Sequence, residues 1–495
     1  MKRVPLLAGS KVLVATLGPG AVALRPQPPT AAIADVAAAV LDALRFPLAG
    51  PPLAQLVRPG ARATIVLEPP LLPLPSAQHD PRQDAVAAAV AELERLGVGL
   101  EQQTILVAGG LQRRATPRDI GPLFPPEFRR RFRGRLVVHD VERDDLVEVG
   151  PGLRVNPALV ETDLVLVVSA AETVLHGGPA ALLGAASPEA LRYPVAASLL
   201  ESGSSAGWNR AVELERALQE RTALLGLSLG LDHPLPTGAL RGFPYEEAAV
   251  ERLASSHVRR AFSLVPSPLR RSVLKSAAVE LAAFGVFAGP PSVAHAEALL
   301  RAIEVRAAAV QEPLDALVVG IPPTTLALPR EQPNPVAVAH LGLGLALRLW
   351  RNRPPLVPGG TAILVHPLRR HFALPTQHPY RSFLRDLDTR DGETVAAAER
   401  DAATDARALE AYRRGRTCHP VLPFAEWAAC RPAIDHAGSV LVAGCRDAVA
   451  ARQLGFVPTH GLGAALEMAD GIAGGRARVG FLLGPPYFPL LVAEA

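Results

Sequence analysis

The residues able to do chemistry in this chain sit where short aliphatic runs stop. In Ile105–Thr116, ILVAGGLQRRAT, the run ends at Gly109 and Gly110, and Gln112, Arg113 and Arg114 follow before a Thr116-Pro117 step. Two glycines let a backbone approach a ligand closely, and a helix starting near Thr116 would turn free N–H groups back on the same space. Arginines can clasp a carboxylate or phosphate through paired bonds. The competing reading is a tight turn with both arginines in water. His139 and Asp140 follow the run Arg135–Val138. In Ser169–Ala186, SAAETVLHGGPAALLGAA, Glu172 and His176 precede Gly177 and Gly178. A histidine beside a carboxylate can move a proton, and the glycine pair would let a flat ligand lie against backbone; a hydrogen-bonded loop is the alternative.

Histidine also clusters in HPLRRHFALPTQHPY, which carries His366, His371 and His378, and Cys418-His419-Pro420 adds two more soft donors. With His176, these are the candidate metal ligands, for zinc or nickel by donor type. Their spacing matches no established metal motif.

The elements that would position these residues read as alternating strands and helices. Strands are expected at Thr64–Glu68, Thr104–Ala108, Arg135–His139, Asp163–Ser169, Asp315–Gly320, Thr361–His366, Ser439–Ala443 and Arg478–Leu483, and KVLVATL reads as a first strand. Continuous Val/Leu/Ile runs, without alternation, are the pattern of strands buried on both faces of a mainly parallel sheet. In HDPRQDAVAAAVAELERLGVG, Asp80 caps, Pro81 enters the first turn, Gln83 reaches back and Gly97 ends the helix. Thr116-Pro117 and Ser187-Pro188 read as two more helix starts. The expected class is α/β, with two domains that are each a mainly parallel sheet flanked by helices. The expected division is 1–290, a connecting helix at 291–310, and 311–495. In such sheets a ligand sits beyond the carboxyl ends of the strands, where the candidates above lie.

Composition narrows the function classes. The 495 residues exceed one compact core, and 49% apolar with 20% charged residues belongs to a folded chain rather than a disordered one. A net charge of +4, 4% aromatics and no long basic run argue against nucleic acid as the main partner. Three cysteines, Cys418, Cys430 and Cys445, suit a reducing compartment better than a disulfide framework. The apolar N-terminus is broken by Gly9, Ser10 and Lys11, so a cytoplasmic protein without membrane attachment is expected.

Several segments in order resemble the nickel-pincer lactate racemase family: Asp35–Leu67, ILVAGGLQRRAT, VVHD, GVFAGPPSVAHAEAL, EPLDALVVGIP and VPGGTAILVHP. The resemblance implies a two-domain α/β fold with its site in the cleft between domains. It also implies a nickel-bearing pincer nucleotide, tethered through a lysine, that takes and returns a hydride at a 2-hydroxy acid. This chain departs from that machinery. The family's substrate-holding arginine falls in Leu71-Leu72-Pro73, and its proton-transferring loop histidine falls on Gln112. A further family histidine matches His176. The tether belongs in a Gly-Gly-x-Lys context, yet no lysine occurs between Lys11 and Lys275, and no histidine between His176 and His233 is present to ligate nickel. The expectation is a divergent relative that binds a nucleotide-like or carboxylated small molecule in the cleft. Gly109, Gly110, Gln112, Arg113, Arg114, His139, Asp140, Glu172, Gly177 and Gly178 would form one side, His176 would be the residue for catalysis, and loops near Gly320 and His366 the other side. The alternatives are an isomerase or oxidoreductase for another hydroxy acid or polyol using a free cofactor or metal, and a non-catalytic pseudoenzyme. Cofactor identity and oligomeric state stay open.

Overall fold

The computed structural model describes every residue except 1, 30–31, 70–76, 78, 325–330, 387–388, 390 and 494–495. The Leu71-Leu72-Pro73 position lies outside the described residues.

Two six-stranded sheets organise the chain. The first runs, edge to edge, Ala283–Gly289, Ala223–Leu231, Leu164–Ala170, Ala63–Leu67, Gln103–Val107 and Arg135–Val138, and only the pairing of Ala283–Gly289 is antiparallel. The second is wholly parallel: Val457–Thr459, Ser439–Ala443, Leu356–Val365, Leu314–Gly320, Val479–Leu482 and Ala21–Leu24. All eight strands expected from aliphatic runs are present. Their central members are buried along their whole length, as strands covered by helices on both faces must be.

Helix starts follow local capping chemistry. Asp80 caps Pro81–Arg95 by accepting from the Arg82 N–H at 3.0 Å, and Gly97 ends that turn at φ +89°. Pro291–Arg306, inside the expected connecting segment, starts differently. The buried Glu215 carboxylate, from helix Ala206–Gln219, accepts from the Ser292 N–H at 2.9 Å and hydroxyl at 3.0 Å. Two expected starts are corrected. Thr116-Pro117 opens only the four-residue helix Pro117–Ile120, and Ser187-Pro188 opens a turn rather than a helix.

The N-terminal segment also differs from expectation. KVLVATL is a strand, Lys11–Thr16, but it pairs antiparallel with Arg3–Ala8 as a hairpin outside both large sheets. The Gly9 N–H donates to the Ile321 carbonyl at 2.9 Å, which ties the hairpin tip to the end of strand Leu314–Gly320. Residues 21–24 then enter the second sheet. The strands at the start of the chain therefore go with the second half, not with the expected 1–290 unit. Helices Glu247–Ser255, His257–Leu264 and Ser267–Lys275 lie near this hairpin, and Arg270 donates to the Ser10 carbonyl at 3.1 Å. No helix among the described residues is long and apolar enough to cross a membrane.

Candidate functional site

A cavity of about 520 Å³ opens where the carboxyl ends of both sheets converge. From the first sheet come Val107, Gly109, Gly110, Gln112, Arg113 and Arg114, then Val138 and His139, then His233. From the second come Pro322, Pro323 and Thr324 after Leu314–Gly320, and Gly484, Pro485 and Pro486 after Val479–Leu482. The hairpin contributes Leu6, Leu7 and Val12, and the helical segment contributes Leu253, Leu274 and Lys275.

Within this wall the charges are mostly matched in pairs. The expected anion seat at a helix start near Thr116 is filled from within. Asp119 takes the Thr116 N–H at 2.9 Å, the Thr116 hydroxyl at 2.5 Å and Arg113 at 2.9 Å. Together these interactions hold its carboxyl below the ordinary value despite partial burial, which works in the opposite direction. Arg114 donates to the Arg413 carbonyl at 2.6 Å and faces Asp140 at 3.4 Å. Neither arginine is in open solvent, and neither is a free clamp. Gly110 needs its glycine: φ is +51°, and its N–H donates to the Gly184 carbonyl at 2.9 Å. Among the described residues nothing pairs with the Gln112 amide or the Lys275 ammonium, and both line the cavity.

His139 and His233 line the cavity with both ring nitrogens engaged. His139 meets the Ala186 carbonyl at 3.0 Å and the Asn156 amide at 3.1 Å, and burial pulls its pKa down to about 4. His233 meets the Tyr245 hydroxyl at 2.5 Å and the Pro486 carbonyl at 3.2 Å, and burial pulls its pKa to about 3. His233 thereby joins the end of one sheet to the loop leaving the other. These are neutral structural imidazoles.

Glu172, Gly177 and Gly178 do not line the large cavity. His176 lines a neighbouring cavity of about 30 Å³ that shares Asp80, Arg82, Gln83 and Leu123 with the large one. Its Nε2 lies 2.6 Å from the Pro69 carbonyl, and its buried Nδ1 has no hydrogen-bond partner among the described residues, with the Glu172 carboxylate at 3.5 Å. The Glu68 carboxylate accepts from the Gly177 N–H at 2.7 Å and stands 3.8 Å from His176. Burial pushes Glu68 above the ordinary carboxylate value, against the opposing pull of His176. Arg82 grips Asp80 through two nitrogens, at 2.9 and 2.5 Å, and reaches Glu172 at 3.7 Å. Arg82→Leu would strip the cation from beside two carboxylates and is expected to cost about 3 kcal/mol or more in chemical denaturation, whereas Arg82→Lys should recover part of it.

The glycine pair has a packing reason rather than the expected ligand one. Both are at positive φ, and an added Cβ would lie 2.6 Å from the His295 ring at Gly177 and 2.3 Å from the His295 Cβ at Gly178. His295 is fully buried, donates its Nε2–H to the Thr173 carbonyl at 2.8 Å, and is held near a pKa of about 4 by desolvation. Glu68, Asp80, Arg82, His295 and Lys275 are the site neighbours that the sequence reading left out. Asp80 was recognised as a helix cap, but nothing in its pattern points to the arginine grip.

The second-half histidines do not assemble. His366 is buried under the hairpin, with Gly9 so close that its added Cβ would meet the ring at 3.2 Å, and it does not line the cavity; His371 and His378 are exposed. The hairpin, not the expected loop at His366, forms that side of the cleft. His419 places Nε2 2.9 Å from Glu142 and accepts the Val421 N–H at 3.3 Å, a brace between the sequence halves. Among the described residues no three His, Cys, Asp or Glu side chains are grouped to hold a metal ion.

Residues 16–179 match the family model described as lactate racemase N-terminal domain. Over that stretch the chain is similar to the lactate racemase N-terminal domain. The fold as a whole agrees with it. The lactate racemase apoprotein from Thermoanaerobacterium thermosaccharolyticum superposes with a TM-score of 0.60 at 16% identity, covering 99% of this chain and 100% of that one. A structural genomics target from Thermotoga maritima gives a TM-score of 0.49 at 11% identity, covering 92% and 97%. No curated protein sequence matches. The lactate-racemase-type region thus includes the Gly109–Arg114 loop and the His176–Gly178 turn.

Proposed function

We propose that this lactate racemase-like protein binds a small anionic molecule, a carboxylate or a phosphate-bearing compound, in the cavity between its sheets, and that it does so without a lysine-tethered nickel nucleotide. The observation that carries the first half is Lys275. Arg82, Arg113 and Arg114 are matched by Asp80, Asp119 and Asp140, so among the described residues Lys275, at the exposed rim, brings the unmatched positive charge to a largely apolar wall. Lys275 is exposed at the rim of the cavity, and an anion seated there would be met by its ammonium. The Gln112 amide can donate to the same ligand but has no titration near neutral pH, so it holds rather than moves a proton.

The tethered cofactor does not fit these residues. Gly177-Gly178-Pro179 is followed by Ala180, only 5% exposed within an apolar cluster of Leu182, Leu183 and Val165. An alanine cannot form the attachment, and His295 fills the space beside the glycines. No reaction step is routed through that group. His176, with Nδ1 unbonded among the described residues and carboxylates on either side, is the residue best placed to exchange a proton should the bound molecule reach the smaller cavity. As to domains, the strand pairing favours units of about 25–310 and of 1–24 with 311–495.

Metal analysis of untagged protein, run beside a racemisation assay with D- and L-lactate, tests this reading. The expected result is substoichiometric nickel and no lactate racemisation, with thermal stabilisation by carboxylates or phosphates that is lost in Lys275→Gln. Stoichiometric nickel with racemisation would overturn it.

A further inference from the structure

The cavity is large and its wall is mainly hydrocarbon. Leu7 and Val12 of the hairpin face it from one side, Leu240 and Phe243 from the turn after the first sheet, and Leu253 and Leu274 from the helical segment. Proline rings at Pro322, Pro323, Pro485 and Pro486 complete the second-sheet side. A volume of about 520 Å³ lies inside the range of pockets, ~300–1,000 Å³, that enclose drug-sized molecules. Lactate would occupy a small corner of it and leave most of that apolar wall against water. Apolar surface left wet gains nothing, whereas an apolar ligand body displaces that water. Among the described residues Gln112, Thr324 and Lys275, the last at the exposed rim, line the cavity with no side-chain partner, a set that suits one anionic head better than a polyol or sugar.

From this juxtaposition we infer that the ligand is an amphipathic monoanion: a carboxylate head held at Gln112 and Lys275, with an extended alkyl body along the Leu240, Phe243 and Leu274 wall. This deepens, and rests on, the anion-binding reading above.

A homologous series tests it, by calorimetry or by displacement of a fluorescent fatty-acid probe: straight-chain carboxylates from acetate to dodecanoate, the matching alcohols, and lactate. The expected result is a Kd that tightens by about fourfold (about 0.8 kcal/mol) per added methylene until the cavity is full. Lactate should bind far more weakly than decanoate. Leu240→Trp should shorten the longest chain accepted while leaving short acids unchanged, and Lys275→Gln should weaken acids but not alcohols. Carboxylate binding that does not depend on chain length would overturn this inference and leave the anion-binding reading standing. Alcohols binding as tightly as acids, with Lys275→Gln silent, would overturn the anion-binding reading and keep the apolar body. No binding by any member would overturn both.

Discussion

Gly178→Ala should destabilise the protein by about 4 kcal/mol, the largest single-methyl effect expected in the first half of the chain. Two independent terms add. Gly178 sits at φ +53° and ψ −130°, a backbone conformation that L side chains rarely adopt, which costs roughly 1–3 kcal/mol for a non-glycine residue. The new Cβ would also lie 2.3 Å from the His295 Cβ, 2.6 Å from its Cγ and 3.0 Å from the Pro291 carbonyl oxygen. The nearest atom is the root of a buried side chain, so no flexible end can swing away, and forced overpacking adds about 1–3 kcal/mol. Urea unfolding checks the value, and Gly109→Ala is the control, because nothing lies within 4 Å of a Cβ built there and its φ is negative; its effect should stay within about 0.5 kcal/mol. Pairing Gly178→Ala with His295→Ala should recover the steric part but not the backbone part. A Gly178→Ala protein as stable as its parent would mean that His295 does not pack as described, and it would reopen the glycine pair as a ligand cradle.

That pair shows what a linear reading can and cannot give. Aliphatic runs forecast the central strands because burial on both faces is written into residue type. The strand Ala223–Leu231 escaped, because Gly226 and Gly230 break its apolar run; both are there for close contacts, with the Pro291 backbone and with the Phe284 ring. The resemblance led correctly to the lactate-racemase-type region and to the loop at Gly109–Arg114, which does line the cavity. It could not tell that Asp119 already occupies the anion seat, since a side chain satisfying its own helix start looks in sequence like any first-turn acid. Nor could it find Lys275 or the hairpin wall. Both reach the cleft through chain crossings of long sequence separation, and no local pattern records those. The three histidines at 366–378 are close in sequence, yet His366 at a strand end is buried while His371 in a loop and His378 at a helix start are exposed.

On acidification the protein should lose stability steeply between pH 6.5 and pH 4. Burial holds His139, His295, His340 and His366 at pKa values of about 4 and His233 at about 3, all below the value of 6.5 that they regain on unfolding. In that window the unfolded chain binds these protons and the folded chain does not, so each histidine removes about 1.4 kcal/mol per pH unit as pH falls. Buried carboxyls act in the opposite sense. Glu215 and Glu426, raised by burial to about 7, and Glu68, also raised, take up protons in the folded state first. From about pH 7 down to about 4.5 Glu215 and Glu426 recover stability and offset two of the five histidines, and Glu68 acts in the same direction. The surplus of histidines leaves a net loss of about 3–4 kcal/mol per pH unit across the upper window, and below pH 4.5 the carboxyl compensation ends while the unfolded histidines still hold their protons. Against a total stability of roughly 5–15 kcal/mol, unfolding before pH 4 is expected. Urea midpoints followed by circular dichroism from pH 7 to 4 measure the slope, and Glu215→Gln should steepen it between pH 7 and 4.5 by removing one compensating group. A flat profile across that window would mean that these imidazoles are protonated in the folded protein, and the hydrogen-bond assignments that make His139 and His233 structural would then fall.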